Sequence, residues 1–557
     1  MLLENFIMPK VPVWVFVLLA ILLFSAVRVD IMDIDAAQYS EISREMMHSG
    51  DYLHIYDRGA NYLDKPPFLF WVSSLSMRFF GATNFGYRLP SILFALWAMF
   101  ATYKLAKKLY DENTGRMAAL ILGCCQGMFL MTNDVRCDTI LMSWVITAIW
   151  MIKEATDKRK WYYVLGGTLS IACGMMTKGP IALMVPLFCF GTEWVLKRQW
   201  KNIFNPRHII DIVLIGLFLV PMCIGLYQQY DIHPEKWIDG KQGTSGLRFF
   251  FWTQSFGRIT GENTWENGAD ISFLMVNMLW SFLPWIFLFL PALFVNVREL
   301  ILQKFRLRPD QEFITTGGFI LSYLALGLSH YQLPHYIFVA FPLAAIMTAK
   351  LLRDFFALGK YQQLYKVMRT FMYVVGALLW VGVLLILTIT FPAGWIGIAA
   401  WMISVAIWLY IVFKKQLKAK LLYATAASIM LVNVFLTHHF YYTLLHYQVG
   451  TEVGNYIREH DIPQDKIMTY RVHDPLNSLH FYARRVIRIF ENGYLPAHSG
   501  DYVLTQDEGL KDMQQRGYQY SIAMQGQLFK VSELTPDFLS KSSRHKATSA
   551  YYLVHIN

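Results

Sequence analysis

Six cysteines in 557 residues are too few for a disulfide framework of a chain this size, and all six (Cys124, Cys125, Cys137, Cys173, Cys189 and Cys223) lie in or beside apolar stretches, without zinc-finger spacing. Charged side chains are only 16% of the chain and hydrophobic ones 55%, which excludes an ordinary soluble enzyme. Low-complexity tracts and internal repeats are absent, and no matching halves with broken helices mark a repeat-built transporter. The opening segment has too few flanking charges and no convincing cleavage site for a signal peptide, so its apolar run reads as an uncleaved first helix. The net charge of +11 does not point to nucleic acid, because the basic residues fall in every second loop, as the positive-inside rule predicts.

What is present is a succession of apolar stretches near 11–28, 87–106, 117–132, 139–152, 161–176, 180–196, 209–228, 271–296, 312–328, 335–351, 370–391, 394–413 and 421–440. A bilayer core needs about 20 apolar residues per helix, so the chain reads as an all-α polytopic membrane protein with about thirteen spans. Basic loops at 104–116, 153–160, 197–207, 298–308, 350–369 and 414–420, Lys414 and Lys415 among them, are each separated by two spans and are expected in the cytoplasm. An odd count then places the N-terminus inside and the C-terminal region outside, on the face that carries Asp35. The division expected is 1–446 for the membrane part, with outer loops 29–86 and 229–270, and 447–557 for an outer domain. In that tail, extended runs (466–472, 486–491, 502–506, 518–531) alternate with helical ones (452–460, 475–484, 508–516), which predicts a small α/β domain.

The first outer loop concentrates the chemistry. Met32-Asp33-Ile34-Asp35-Ala36-Ala37-Gln38-Tyr39 precedes an amphipathic stretch, and Leu63-Asp64-Lys65-Pro66-Pro67 precedes a second helix expected over 68–80, where the prolines suit a helix start. Asp35 and Gln38 have capping-box spacing, so Asp35 is either a cap or a reactive carboxylate. Lys65 either extends from the interface towards water or binds an anion. Further candidates are Asn133-Asp134-Val135-Arg136-Cys137-Asp138, in which acids and an arginine beside lipid are costly unless paired or used, and Thr177-Lys178-Gly179-Pro180, a turn whose lysine suits a phosphate. Arg258 follows Trp252-Thr253-Gln254-Ser255-Phe256-Gly257, ahead of Trp265 and Glu266, and its guanidinium fork suits an oxyanion. His330-Tyr331-Gln332-Leu333-Pro334-His335-Tyr336 reads as an outer turn anchored by aromatics, since a metal site there lacks a third ligand. Sugar transfer from a lipid phosphate needs a cation for the departing phosphate and, for a hydroxyl acceptor, a carboxylate to take its proton.

Together these segments resemble membrane glycosyltransferases of the GT-C class, especially the aminoarabinose transferases of lipid A and the related protein O-mannosyltransferases. The resemblance covers most of the first 350 residues and rests on Asp35-Ala-Ala-Gln-Tyr-Ser-Glu-Ile-Ser-Arg-Glu-Met46 and on Tyr62-Leu-Asp64-Lys65-Pro66-Pro67. It implies Asp35 as the catalytic carboxylate, Lys65, Arg258 and Tyr336 as ligands of the donor phosphate, and Tyr62, Asp64, Asp138 and Lys178 in the same cavity. The donor implied is a polyprenyl-phosphate sugar, transferred with inversion to a lipid A-type or protein acceptor within membrane lipid, in a bacterial inner membrane and without a nucleotide cofactor. A divalent metal is left open, because the family's acid-histidine pair reads here as Gln254-Ser255 and the glutamate before Lys-Pro-Pro is Asp64. A lipid or sugar transporter is the alternative from another class; it would hold its acids near mid-membrane, whereas these cluster at one surface.

Overall fold

Apolar runs in lipid must satisfy every peptide group internally, so they become helices. The computed structural model describes residues 10–238, 240–262, 267–414, 419–491 and 493–557; Trp265, Glu266 and Lys415 lie outside them. Helices occupy each of the apolar stretches read from the sequence. By length and composition alone, six among the described residues are able to cross a membrane: Asn84–Leu109, Trp200–Asp231, Pro334–Phe356, Gln362–Thr390, Gly394–Phe413 and Lys420–Leu445. Glu112–Gly123 and Gln126–Asn133, bent by 54° at their junction, make a seventh if taken as one span. The remaining stretches are shorter apolar helices, such as Ile181–Leu196 and Ile314–Gly327, or helices such as Cys137–Lys158, which carries Asp138 at one end and Lys153, Glu154, Asp157 and Lys158 at the other.

The loop after α1 (Val13–Ser25) leads into α2 (Asp35–Ser49), whose core-facing side includes Ala36, Ala37, Tyr39 and Ile42. A two-residue hairpin, Tyr56–Asp57 on Ala60–Asn61, then carries the chain to α3 (Phe68–Phe80), which Pro67 precedes as expected. Thr83 caps α4 (Asn84–Leu109) by accepting a hydrogen bond from Gly86 N at 3.1 Å. The hairpin is docked on the helix Arg207–Leu226 and its extension: Gln229 accepts from Ile55 N at 3.0 Å and donates to Ile55 O at 2.8 Å and Asn61 Oδ1 at 3.0 Å.

The C-terminal region is a five-stranded mixed sheet in the order 488–490, 467–470, 502–505, 549–556, 520–528. The first three strands are parallel, and 549–556 pairs antiparallel with both of its neighbours. Side chains alternate between two apolar layers, as strand period demands. Ile467, Leu504 and Leu553 face Val453 and Leu479 on one side, while Met468, Val503 and Val554 join Met513 on the other. The helices Val449–Glu459, Asn477–Ala483 and Asp507–Gln515 match the three helical runs read from the sequence. The sequence reading named no strand after residue 531; Ser549–Ile556, with its run Tyr551-Tyr552-Leu553-Val554, is one, and it lies inside the sheet.

Candidate active site

Asp35 is the first residue of α2, and Ile34 holds the cap position with no side-chain cap bond. The capping-box expectation therefore fails: Gln38 turns instead to Asp57 Oδ2 at 2.8 Å, and the Asp35 carboxylate accepts from Arg136 Nη1. Arg136 also donates from Nε to Asp134 Oδ2 at 2.8 Å, so one guanidinium fork joins two carboxylates. Arg88, 1% exposed, donates to the carbonyls of Val29, Asp30 (2.6 Å) and Asn133 (3.0 Å), which ties the loop before Asp35 to the segment bearing Arg136.

Lys65 donates to the neighbouring Asp64 carboxylate. The Gln254 amide donates to Asp64 Oδ1 at 3.0 Å and also to the Asp64 carbonyl. Arg258 is buried and donates from Nη1 to the Tyr336 hydroxyl at 2.8 Å. The Tyr336 ring lies 4.0 Å from Lys178 Nζ, which donates to Asp138 Oδ1 at 2.5 Å; His335 Nε2 is 3.6 Å from Asp138 Oδ2. Lys65, Asp138, Lys178, Gln254, Arg258 and Tyr336 line one open cavity of about 830 Å³. The cavity wall thus carries three cations and one carboxylate, Asp138, with Ile181 and Met184 also in the lining.

Not every expected residue is in that wall. Asp35 and Asp64 do not line it; Asp35 is paired with Arg136, which does not line it either, and Asp64 meets the wall through Lys65 and Gln254. Tyr62, expected in the same cavity, lines a smaller one of about 380 Å³ that shares Lys65, Pro66 and Gln254 with the first, and its ring meets Phe70 edge-on at 6.0 Å. The sequence names Arg136 only within the candidate segment Asn133–Asp138 and Gln254 only as a departure from the family's acid-histidine pair, and gives neither a role. The signal for Arg136 was its place between Asp134 and Asp138; the contact of Gln254 with Asp64 spans 190 residues and has no local sign.

Electrostatics couples these groups. Burial alone would raise Asp64, but Lys65 beside it holds its carboxyl below the usual range. Burial alone would lower Lys65, yet Asp64 and Tyr336 keep its ammonium raised. Arg136 is likewise raised, because Asp134 and Asp35 outweigh its burial. Burial, then Tyr62, Asp35, Cys137 and Asp64, push the Tyr39 phenol well above its ordinary value. As for a metal, no three His, Cys, Asp or Glu side chains converge as a ligand set among the described residues. The Asp64 carboxylate is taken up by Lys65 and an amide, a donor set that does not suit a divalent ion, so no step is derived through one.

Residues 64–224 match the family described as dolichyl-phosphate-mannose-protein mannosyltransferase. Along the whole chain, the crystal structure of ArnT from Cupriavidus metallidurans bound to undecaprenyl phosphate superposes with a TM-score of 0.72 at 16% identity, covering 97% of both chains. The chain has the GT-C fold. An archaeal oligosaccharyltransferase from Archaeoglobus fulgidus is a more distant neighbour, with a TM-score of 0.50 at 11% identity, covering 88% of this chain and 69% of that one. Among curated proteins, an undecaprenyl phosphate-alpha-4-amino-4-deoxy-L-arabinose arabinosyl transferase of Edwardsiella ictaluri is 28% identical over 325 residues, 56% of this chain and 54% of the relative. A counterpart from Sodalis glossinidius is 29% identical over 322 residues, again 56% and 54%. The chain spans about half the length of the curated relatives it matches. The resemblance to ArnT-type GT-C glycosyltransferases thus stands on both sequence and fold.

Proposed function

We propose that this chain is an inverting glycosyltransferase that moves a sugar from a polyprenyl-phosphate donor to a lipid A-type or other envelope acceptor. The observation that carries the reading is the cavity lined by Lys65, Lys178 and Arg258, of which Lys65 is paired with Asp64 and Lys178 with Asp138, at the end of a bundle of apolar helices. An anionic headgroup on an apolar tail needs both parts. That the fold relative was crystallised with undecaprenyl phosphate supports a carrier of this class.

In the proposed step, an acceptor oxygen attacks the anomeric carbon from the face opposite the phosphate. The carbon–oxygen bond to phosphate breaks, and the bonding pair leaves on the phosphate, whose growing charge Lys65 and Arg258 meet with Tyr336 donating alongside. Asp35, held by the Arg136 fork, is assigned the acceptor side in this reading. A hydroxyl acceptor gives its proton to Asp35; a phosphate acceptor is already ionised, and Asp35 then orients it. Tyr62, Asp64, Asp138 and Lys178 shape the surroundings and hold the cations. The reading places the site on the periplasmic face of a bacterial inner membrane, with the N-terminus in the cytoplasm and the C-terminal domain outside, because the basic loops alternate as described.

The test is transfer by the purified protein from radiolabelled polyprenyl-phosphate sugars to lipid A and to acceptor proteins. Asp35→Asn and Lys65→Ala are expected to lose at least about a hundredfold in turnover while remaining folded, the scale for removing one preorganised group. Unchanged turnover in both variants refutes the assignment.

A further inference from the structure

The segment that delivers Asp35 is held largely by the far end of the chain. Gln448, fully buried, accepts from Asp33 N at 2.8 Å through Oε1 and donates from Nε2 to Ile31 O at 2.8 Å, so one amide side chain pairs with this stretch as a neighbouring strand would. Ile31 N donates to the Tyr482 hydroxyl at 2.8 Å, and Asn477 Nδ2 donates to Ile34 O at 3.1 Å. Both oxygens of Asp33 accept from Ser478, one from its backbone N at 2.8 Å and one from its hydroxyl at 2.7 Å. These bonds fall on Ile31, Asp33 and Ile34, three of the four residues immediately before Asp35, more than 400 positions from their partners in sequence. Gln448 sits at the junction between the last membrane helix and the C-terminal domain, immediately before the helix Val449–Glu459, and Thr451 Oγ1 accepts from the same Nε2 at 2.7 Å. Ser478 and Asn477 open the helix Asn477–Ala483, which packs against α2.

Resting on the glycosyl-transfer reading above, we propose that Gln448, Asn477 and Ser478 are positioning residues for Asp35, which makes the C-terminal domain part of the reaction centre. A short loop without its own ladder of hydrogen bonds has many conformations, and each bond from the domain removes some of them. Arg136 orients the Asp35 carboxylate from one side, while the domain fixes where its backbone starts. The surface contact of a domain that merely covers the bundle has no need to saturate both oxygens of Asp33 and both polar groups around Ile31.

The test uses the full-length protein and compares the parent with Gln448→Ala, Ser478→Ala and Ser478→Thr. Four quantities are read: kcat for sugar transfer, affinity for undecaprenyl phosphate as probe, hydrogen exchange of residues 31–37, and the thermal midpoint. Expected are a kcat lowered at least about tenfold in both alanine variants, probe affinity held within about twofold, and faster exchange across 31–35, since misplacement by about 1 Å costs up to roughly a hundredfold. Ser478→Thr, which keeps the hydroxyl and the N–H, is expected to retain parental kcat. Unchanged kcat in both alanine variants, unchanged exchange, or a joint fall of kcat, affinity and thermal midpoint overturns positioning. A parent that transfers no sugar from any polyprenyl-phosphate donor refutes the functional reading and this proposal with it, whereas an active parent with indifferent variants refutes the positioning alone.

Discussion

Asp138 is 2% exposed and depends on Lys178 at 2.5 Å, with His335 at 3.6 Å its other neighbour. Removing one partner of a buried ion pair leaves the other charge uncompensated and costs about 3–5 kcal/mol, more than the pair itself contributes. Lys178→Met is therefore expected to lower the thermal midpoint in detergent strongly, and Lys178→Met with Asp138→Asn to recover most of it. A second residue, His480, gives a pH signature. It is buried within the C-terminal domain, on the helix Asn477–Ala483, its Nδ1 accepts from Ile487 N at 3.0 Å, and burial, with Arg58 and Arg44 nearby, depresses it from 6.5 to about 3. Its folded value lies below its unfolded one, so the unfolded chain takes up the proton first. The contribution of a neutral His480 is intact above pH 6.5 and is lost as the pH falls towards 3, by about 1.4 kcal/mol per unit. Unfolding midpoints measured from pH 7 to pH 5 are expected to fall less steeply in His480→Gln than in the parent.

At the scale of elements, the Asp64-Lys65 segment is placed by the helix on which its hairpin rests. A Cβ on Gly225 would lie 2.2 Å from the carbonyl oxygen of Leu53, a backbone atom that cannot swing aside, whereas Gly216 on the same helix has nothing within 4 Å. Gly225→Ala is expected to displace the hairpin and lower transfer at least about tenfold, while Gly216→Ala leaves it unchanged. Paired kinetic assays of the two variants check this. Elements of this kind were legible in part. The prolines and the apolar run after them announce α3 with its bounds, and the alternating runs announce most of the C-terminal sheet. Residues whose partners are distant were not legible. Asp35 and Gln38 have the spacing of a cap, but Arg136, 101 residues away, and Asp57 claim their side chains first. Tyr62 sits beside Asp64 in sequence yet opens onto the neighbouring cavity, because the hairpin before it turns the chain.

For the whole molecule, charge alternation predicts one orientation. With a membrane-impermeant maleimide on intact spheroplasts, Glu508→Cys in the C-terminal domain is expected to label and Arg159→Cys in a basic loop is not; both positions are exposed, and the native cysteines are buried apart from the half-buried Cys223. The architecture then reads as a lipid-embedded bundle that ends in a cavity of cations, with a C-terminal domain that reaches back to the segment before Asp35. Photo-crosslinking with a diazirine analogue of undecaprenyl phosphate tests that arrangement most directly. The label is expected in peptides containing Lys65, Arg258 and Tyr336, and to fade when Lys65→Ala and Arg258→Ala are combined. Label confined to other peptides, or undiminished in the double variant, contradicts the cavity as the phosphate site.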